Sequence, residues 1–443
     1  SLPRRPRAAR ENLSTSDPAG CATCHRVAGK ELVRQANCAG CHQLEGFERR
    51  EVAPDLAGVG RKFTRQFLYR FLRAPFNRRQ PGYRPGEVVR MPDFSLSVQE
   101  RIELTEYLST LDRLDLPGPF VQPAESGEAL AARATELLDR HACLACHKLG
   151  ADGGKVGPDL TDLGSGEWKT EWVYHWILDP RRYFPESPMP DLGLTPGEAA
   201  VLATWLTGRG SPTSWTEGHA GPTRPGVAED PAYPDLPEVE RAASAGRGRD
   251  LFEALGCRGC HANGDDEPAA LRIGPRLDAA GIRLRREWAF EFLDAPRRIR
   301  PGLAPARMPR MRFTSDEIGS VLQYLADHGE ARWGSLRARY EGDRPAAPGD
   351  GRALFVEKDC QSCHVRSDEA YPPALHPYYS PEETARRKRW SPDLAHAGRL
   401  ERWWARAWLD EPEAFGPDPL MPRIGLDPAA IERLLDHLAE DRE

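Results

Sequence analysis

The stretch CATCHRVAGKELVRQANCAGCH, residues 21–42, contains the pentapeptide Cys-x-x-Cys-His twice, 17 residues apart. The same pentapeptide returns three more times. The chain therefore carries Cys21-Cys24-His25, Cys38-Cys41-His42, Cys143-Cys146-His147, Cys257-Cys260-His261 and Cys360-Cys363-His364. These five motifs use all ten cysteines of the 443 residues, so none is left for a disulfide.

Two thiols separated by two residues and followed at once by an imidazole can converge on one porphyrin. The sulfurs add to its vinyl groups as thioethers, and the imidazole binds the iron from one side. A thioredoxin-like redox pair would not need His after every second Cys. Zinc knuckles would not explain five identical pentapeptides. We read five covalently bound haem c groups.

Aligning the chain on the motifs exposes four repeats. A helix-like run precedes each motif from the second onward: KELVRQAN (30–37), ARATELLDRHA (132–142), GRDLFEALG (248–256) and GRALFVEKD (351–359). After each motif comes a Pro-x-Leu element beginning at Pro54, Pro158, Pro275 or Pro392. An aromatic amphipathic helix follows and ends at Pro, which lacks an amide donor and clashes with the preceding turn. Each repeat then shows Met-Pro, at Met91, Met189, Met308 and Met421, and closes with another amphipathic run such as SDEIGSVLQYLADH (315–328). Four of only five methionines occupy this one repeated place, which favours axial ligation over core packing. Met311, the fifth, lies close enough to compete at the third repeat.

This pattern resembles class I c-type cytochrome domains of bacterial type, in four tandem copies over about residues 28–440. The resemblance implies a small all-α fold with the opening and closing helices crossing near the haem. It implies His42, His147, His261 and His364 as proximal ligands and Met91, Met189, Met308 and Met421 as distal ones. It also implies that the carbonyls of Pro54, Pro158, Pro275 and Pro392 respectively hold those imidazoles in one tautomer. The expected architecture is a tandem array of four small domains at 30–115, 128–208, 246–330 and 346–443. Pro/Gly-rich linkers join them, 209–245 being the longest. Residues 1–29 form an N-terminal arm with the extra motif.

That arm holds three Pro and four Arg before Cys21 and supplies no packing helix, so the first haem has no domain of its own. It also lacks a private methionine. Histidine is the natural sixth ligand, and His376 and His219 stand out because they sit in segments the repeat does not need. His175, on the aromatic helix of the second repeat, is expected to face outward.

Net charge is −6 with no basic tail, which argues against nucleic acid as a partner. All but seven of the 61 basic residues are Arg, some of which are expected to clamp haem propionates. Apolar runs such as AAVLATWL (199–206) are too short to cross a bilayer. A mean hydropathy of −0.61 suits a soluble protein with no transmembrane segment of its own. The start at Ser1, without a signal-like apolar region, reads as a mature chain whose export signal has been removed. We expect a periplasmic or extracellular electron carrier without catalytic residues, acting between redox partner proteins. It could polymerise through the first haem as an extracellular wire. The alternatives are an electron-input subunit of a respiratory or photosynthetic complex, or an enzyme with an open first haem reducing peroxide or an oxyanion.

Overall fold

The computed structural model describes residues 29–47, 53–75, 91–209, 233–259, 274–299, 307–342, 348–371, 391–415 and 421–439, single positions within those stretches aside. These are mostly helical. The helices are α1 (29–34), α2 (Val59–Lys62), α3 (Arg65–Arg73), α4 (Val98–Thr110), α5 (Gly127–Arg140), α6 (Thr170–Leu178), α7 (Pro196–Gly208), α8 (Glu238–Ala254), α9 (Ala280–Arg283), α10 (Arg286–Asp294), α11 (Ser315–Tyr340), α12 (Gly351–Glu357), α13 (Arg402–Asp410) and α14 (Pro428–Ala439). A two-residue antiparallel pair, Lys148–Leu149 with Asp152–Gly153, comes after the third motif.

Three of the four closing helices share one start signal. Ser97, Thr195 and Thr314 each accept the amide of a Glu three residues on, and that Glu accepts the cap residue's amide in return. The capping box satisfies two amides that the first helical turn leaves unpaired.

The chain divides into two compact units, Ser1–Arg50 with Ala254–Gly259 and Leu271–Glu443, and Glu51–Glu253 with Cys260–Ala270. In the second unit the second repeat closes on itself. Leu137 and Leu138 of α5 meet Trp172, Val173 and Ile177 of α6 and the Ala199, Ala203 and Leu206 face of α7. Alanines with no exposed surface let these backbones approach closely. The loop before α3 joins the loop before α6 through Thr64 N–H to Glu167 O (2.8 Å) and Lys169 N–H to Lys62 O (3.0 Å). In the first unit the third and fourth repeats meet the same way, through Arg285 N–H to Arg399 O and Glu401 N–H to Arg283 O, both 2.8 Å.

The fourth repeat shows how an opening helix seats on a closing one. Gly351 of α12 crosses α14, where an added Cβ would lie 2.3 Å from Arg433 O, and one turn later Phe355 packs beside Ile431 and Leu434. The first and third repeats have the same glycine-then-apolar spacing with their partners exchanged. Helix α1 seats on α11: Gly29 leaves only 2.0 Å between an added Cβ and Ser320 O, and Val33 packs with Val321, Tyr324 and Leu325. Helix α8 seats on α4: a Cβ on Gly248 would lie 1.9 Å from Glu103 O, and the Phe252 and Tyr107 rings are 5.3 Å apart. The opening segment of the first repeat thus closes on the third, and that of the third on the first.

Two linker expectations need correction. From Tyr233 onward, the 209–245 stretch is built into the second unit rather than solvated. The Tyr233 amide donates to Gln66 Oε1 at 3.0 Å, its hydroxyl reaches the buried Glu106 carboxylate, and α8 begins at Glu238. The Pro/Gly-rich link between the third and fourth repeats, EGDRPAAPGD (341–350), starts later than residue 330 because it follows α11, which continues to Tyr340. Trp333, Leu336 and Tyr340 of α11, spaced for one helix face, pack with Trp403 and Trp404 of α13.

Candidate haem-attachment sites

Each described motif is reached through a left-handed residue: Asn37 (φ 50°), Ala142 (50°), Gly256 (71°) and Asp359 (54°). For Ala142 this conformation costs roughly 1–2 kcal/mol, so the motif it opens must impose the turn. A single 3-10 turn comes next. Gly40, Ala145, Gly259 and Ser362 donate to the carbonyls of those four residues at 2.8–3.1 Å. The amides of His42, His147 and His364 then return to Cys38, Cys143 and Cys360 at 2.8, 3.0 and 2.9 Å. The turns at Cys38, Cys143 and Cys360 therefore present the residues of their motifs with the same backbone geometry.

The imidazoles are steered from Nδ1. His147 Nδ1 lies 2.8 Å from Pro158 O, within its own repeat. His42 Nδ1 lies 2.9 Å from Pro275 O, which corrects the pairing with Pro54 implied by the resemblance. Because α1 seats on α11, its turn is delivered to the Gly274-Pro275 segment, where Gly274 N–H donates to Cys41 O at 2.8 Å. Glycine is required there: an added Cβ would lie 2.4 Å from His42 Nδ1. Gly157 serves His147 in the same way, 2.6 Å from its Nδ1. An Nδ1–H donated to a carbonyl leaves Nε2 as the lone-pair nitrogen that iron needs. Burial lowers the His364 pKa and the Pro392 carbonyl opposes it, although Nδ1 meets no partner at strict hydrogen-bonding geometry.

A second tie was not legible as a site residue. The amide three residues after each His donates to a side chain near the proline: Gly150 N–H to Thr161 Oγ1 (2.7 Å), Glu45 N–H to Asp278 Oδ1 (2.6 Å) and Ser367 N–H to Asp393 Oδ1 (3.0 Å). Thr161 and Asp278 both stand three residues after their proline, a shared offset that could have found them. Burial alone would raise the Asp278 pKa. The Glu45 amide, Arg276 and His328 outweigh it and hold the carboxyl below its ordinary range.

Met91, Met189, Met308 and Met421 each stand seven residues before the first residue of a closing helix, at Val98, Pro196, Ser315 and Pro428. Met421 Sδ accepts the Trp408 indole N–H at 3.0 Å. Met311 instead packs beside Ala289, Ile318 and Leu322. His175 does not face outward: it is 3 % exposed within α6, and burial lowers its pKa. His437 accepts or donates a bond with the Tyr371 hydroxyl at 2.7 Å, and His328 lies 3.3 Å from Asp278. Arg366 and Arg406, both buried, pair with the protein carboxylates Asp368 and Glu432. Cys21, Cys24, His25, Cys260, His261, His219, His376 and Pro54 lie outside the described residues.

The donor set fits haem c. Burial pushes the Cys143 thiol up and the Cys360 thiol up to about 11, so neither is a ready thiolate ligand at neutral pH. Among the described residues, no three His, Cys, Asp or Glu side chains converge to hold a bare metal ion. No described helix is long and apolar enough to cross a membrane. Residues 27–112 match the Cytochrome c family model, which supports covalently bound haem and electron transfer. No curated protein and no solved structure matches the chain.

Proposed function

We propose that the chain is a pentahaem electron carrier that works outside the cytoplasm between redox partner proteins. The observation that carries this reading is the recurrence, at His42 and His147, of one turn with one Nδ1–H donated to a proline carbonyl. A haem held at each motif supplies reversible one-electron iron chemistry. The chain fixes the tautomer and orientation of the His42 and His147 imidazoles. The methionines seven residues before the closing helices are the proposed distal ligands. A thioether there raises the potential relative to a second histidine. Held by one histidine and one methionine in this way, each haem would have no place left for a substrate, and the repeats would carry electrons rather than convert molecules. The N-terminal haem, on Cys21 and Cys24 with His25, takes His376 or His219 as its sixth ligand, from the same chain or a neighbouring copy in a filament.

Intact mass of the purified holoprotein tests the count, and five haems is the expected result. The oxidised spectrum should show the weak sulfur-to-iron band, diminished by each of Met91→His, Met189→His, Met308→His and Met421→His. Persistence of the full band through all four substitutions overturns the methionine assignment.

A further inference from the structure

The five motifs differ in the residue before their second cysteine: Thr23, Gly40, Ala145, Gly259 and Ser362. The two glycines are far apart in the chain, yet within the first unit they face each other. A Cβ on Gly40 would lie 2.5 Å from Gly259 O, and one on Gly259 would lie 2.6 Å from Gly40 O. The contact is reciprocal and closed to any side chain on either partner. Asn37, the left-handed residue opening one turn, donates its Nδ2–H to Gly259 O at 3.0 Å. Cys41 Sγ lies 3.8 Å from the carbonyl of Gly256, the left-handed residue opening the other. Ala145, at the matching place in the second repeat, is exposed.

We propose that this glycine contact builds an electron-exchange pair from the haem on Cys38 and Cys41 and the haem on Cys257 and Cys260. The inference rests on reading both motifs as haem sites. A thioether fixes each porphyrin edge to its turn, so the separation of the turns governs the separation of the edges. Tunnelling falls off exponentially with that gap. In the transfer step one electron leaves a ferrous iron and reduces a ferric one. No bond forms or breaks, and no proton is required. A unit change of charge at one iron also acts on the other through a protein interior of low dielectric, so the two reductions are coupled. Electrons therefore pass between the first and third repeats without following chain order. Gly40, Gly259 and Asn37 are positioning residues for this step.

The test uses full-length holoprotein carrying Gly40→Val, Gly259→Val or, as control, Ala145→Val. Haems are counted by mass, and electron paramagnetic resonance is followed through a reductive titration. The pair predicts a wild-type signal altered by spin coupling and two reductions that shift one another. Both are lost in G40V and G259V and kept in A145V. Asn37→Ala, which removes one hydrogen bond and adds no bulk, should move both readouts in the same direction by less. It decides the matter if the valine variants lose a haem. Unchanged spectra and potentials in variants that keep every haem overturn the pairing, as does an equal change in A145V. A wild-type mass lacking haem at either motif overturns the functional reading instead.

Discussion

His147 and His42 each donate a ring N–H to a proline carbonyl, one 11 residues away and the other 233. Both bonds are flanked by a glycine with no room for a side chain, Gly157 or Gly274. In both sites, the amide three residues after the histidine donates to the side chain three residues after the proline. The local chemistry is the same, and only the route of the chain differs. Closing the longer loop costs about 3 kcal/mol more in chain entropy, because the cost grows only with the logarithm of length. That is comparable to burying a single aromatic side chain. Since the exchange is reciprocal, with α1 on α11 and α8 on α4, no opening helix is left uncovered. Chain proximity is therefore a weak constraint on which socket an opening helix fills.

The largest expected effect contrasts Phe355 with Phe252. Either Phe→Ala change should cost about 3–5 kcal/mol in its unit. In F355A the lost hydrogen-exchange protection should fall on α14 of the same repeat, and in F252A on α4, more than 140 residues away in the chain. Protection lost on α11 rather than α4 in F252A would break the exchange.

Gly274→Val sharpens the comparison at the iron. It lies in the third repeat, yet it should weaken the axial bond of His42 by about 10–100-fold, as changes behind a ligand do. Gly157→Val should do the same to His147. Axial-histidine resonances assigned site by site in the holoprotein tell the two apart, and a G274V defect confined to the His261 site would refute the assignment.

Asp278 ties the exchanged site with a carboxylate, as Asp393 ties the fourth repeat's, whereas Thr161 does that work in the second repeat. A carboxyl whose folded pKa is depressed contributes stability above its unfolded pKa and loses it as pH falls through the folded value. The first unit should therefore soften below about pH 4 through this group. Asp278→Asn should remove that pH dependence at a cost of about 1–3 kcal/mol near neutrality. Denaturant midpoints measured against pH for both forms check this, and parallel curves would show that the carboxylate carries nothing.

The smallest effect is at the rim. Arg332 meets Glu45 across the α1–α11 seat with both side chains substantially exposed. Glu45→Gln should cost under about 1 kcal/mol and vanish at high salt. A larger, salt-independent loss would mean that the pair is shielded from solvent.

Much of the site was legible from residues alone. The pentapeptides and the Pro-x-Leu element point to the turns at Cys38, Cys143 and Cys360 and to a proline carbonyl behind His42 and His147, because imidazole orientation tolerates little variation in spacing. The stripe of Trp333, Leu336 and Tyr340 carries α11 past residue 328, where the sequence reading ended the closing run. The burial of His175 was not legible, because it depends on which face of α6 the neighbouring helices cover.

What the sequence determined by itself is the class of each segment: opening helix, attachment turn, proline carbonyl, methionine and closing helix. A family match to the contiguous stretch 27–112 has the same character, since it tracks chain order. What only the tertiary structure decided is which copy of each class meets which. Four similar copies present four similar sockets, so the pairing is nearly degenerate in local energy. Small features break that degeneracy, among them Gly274 behind His42, Asp278 accepting the Glu45 amide, Tyr233 on Glu106 and the facing glycines 40 and 259. Each is a contact between residues far apart in the chain, where periodicity and spacing carry no information.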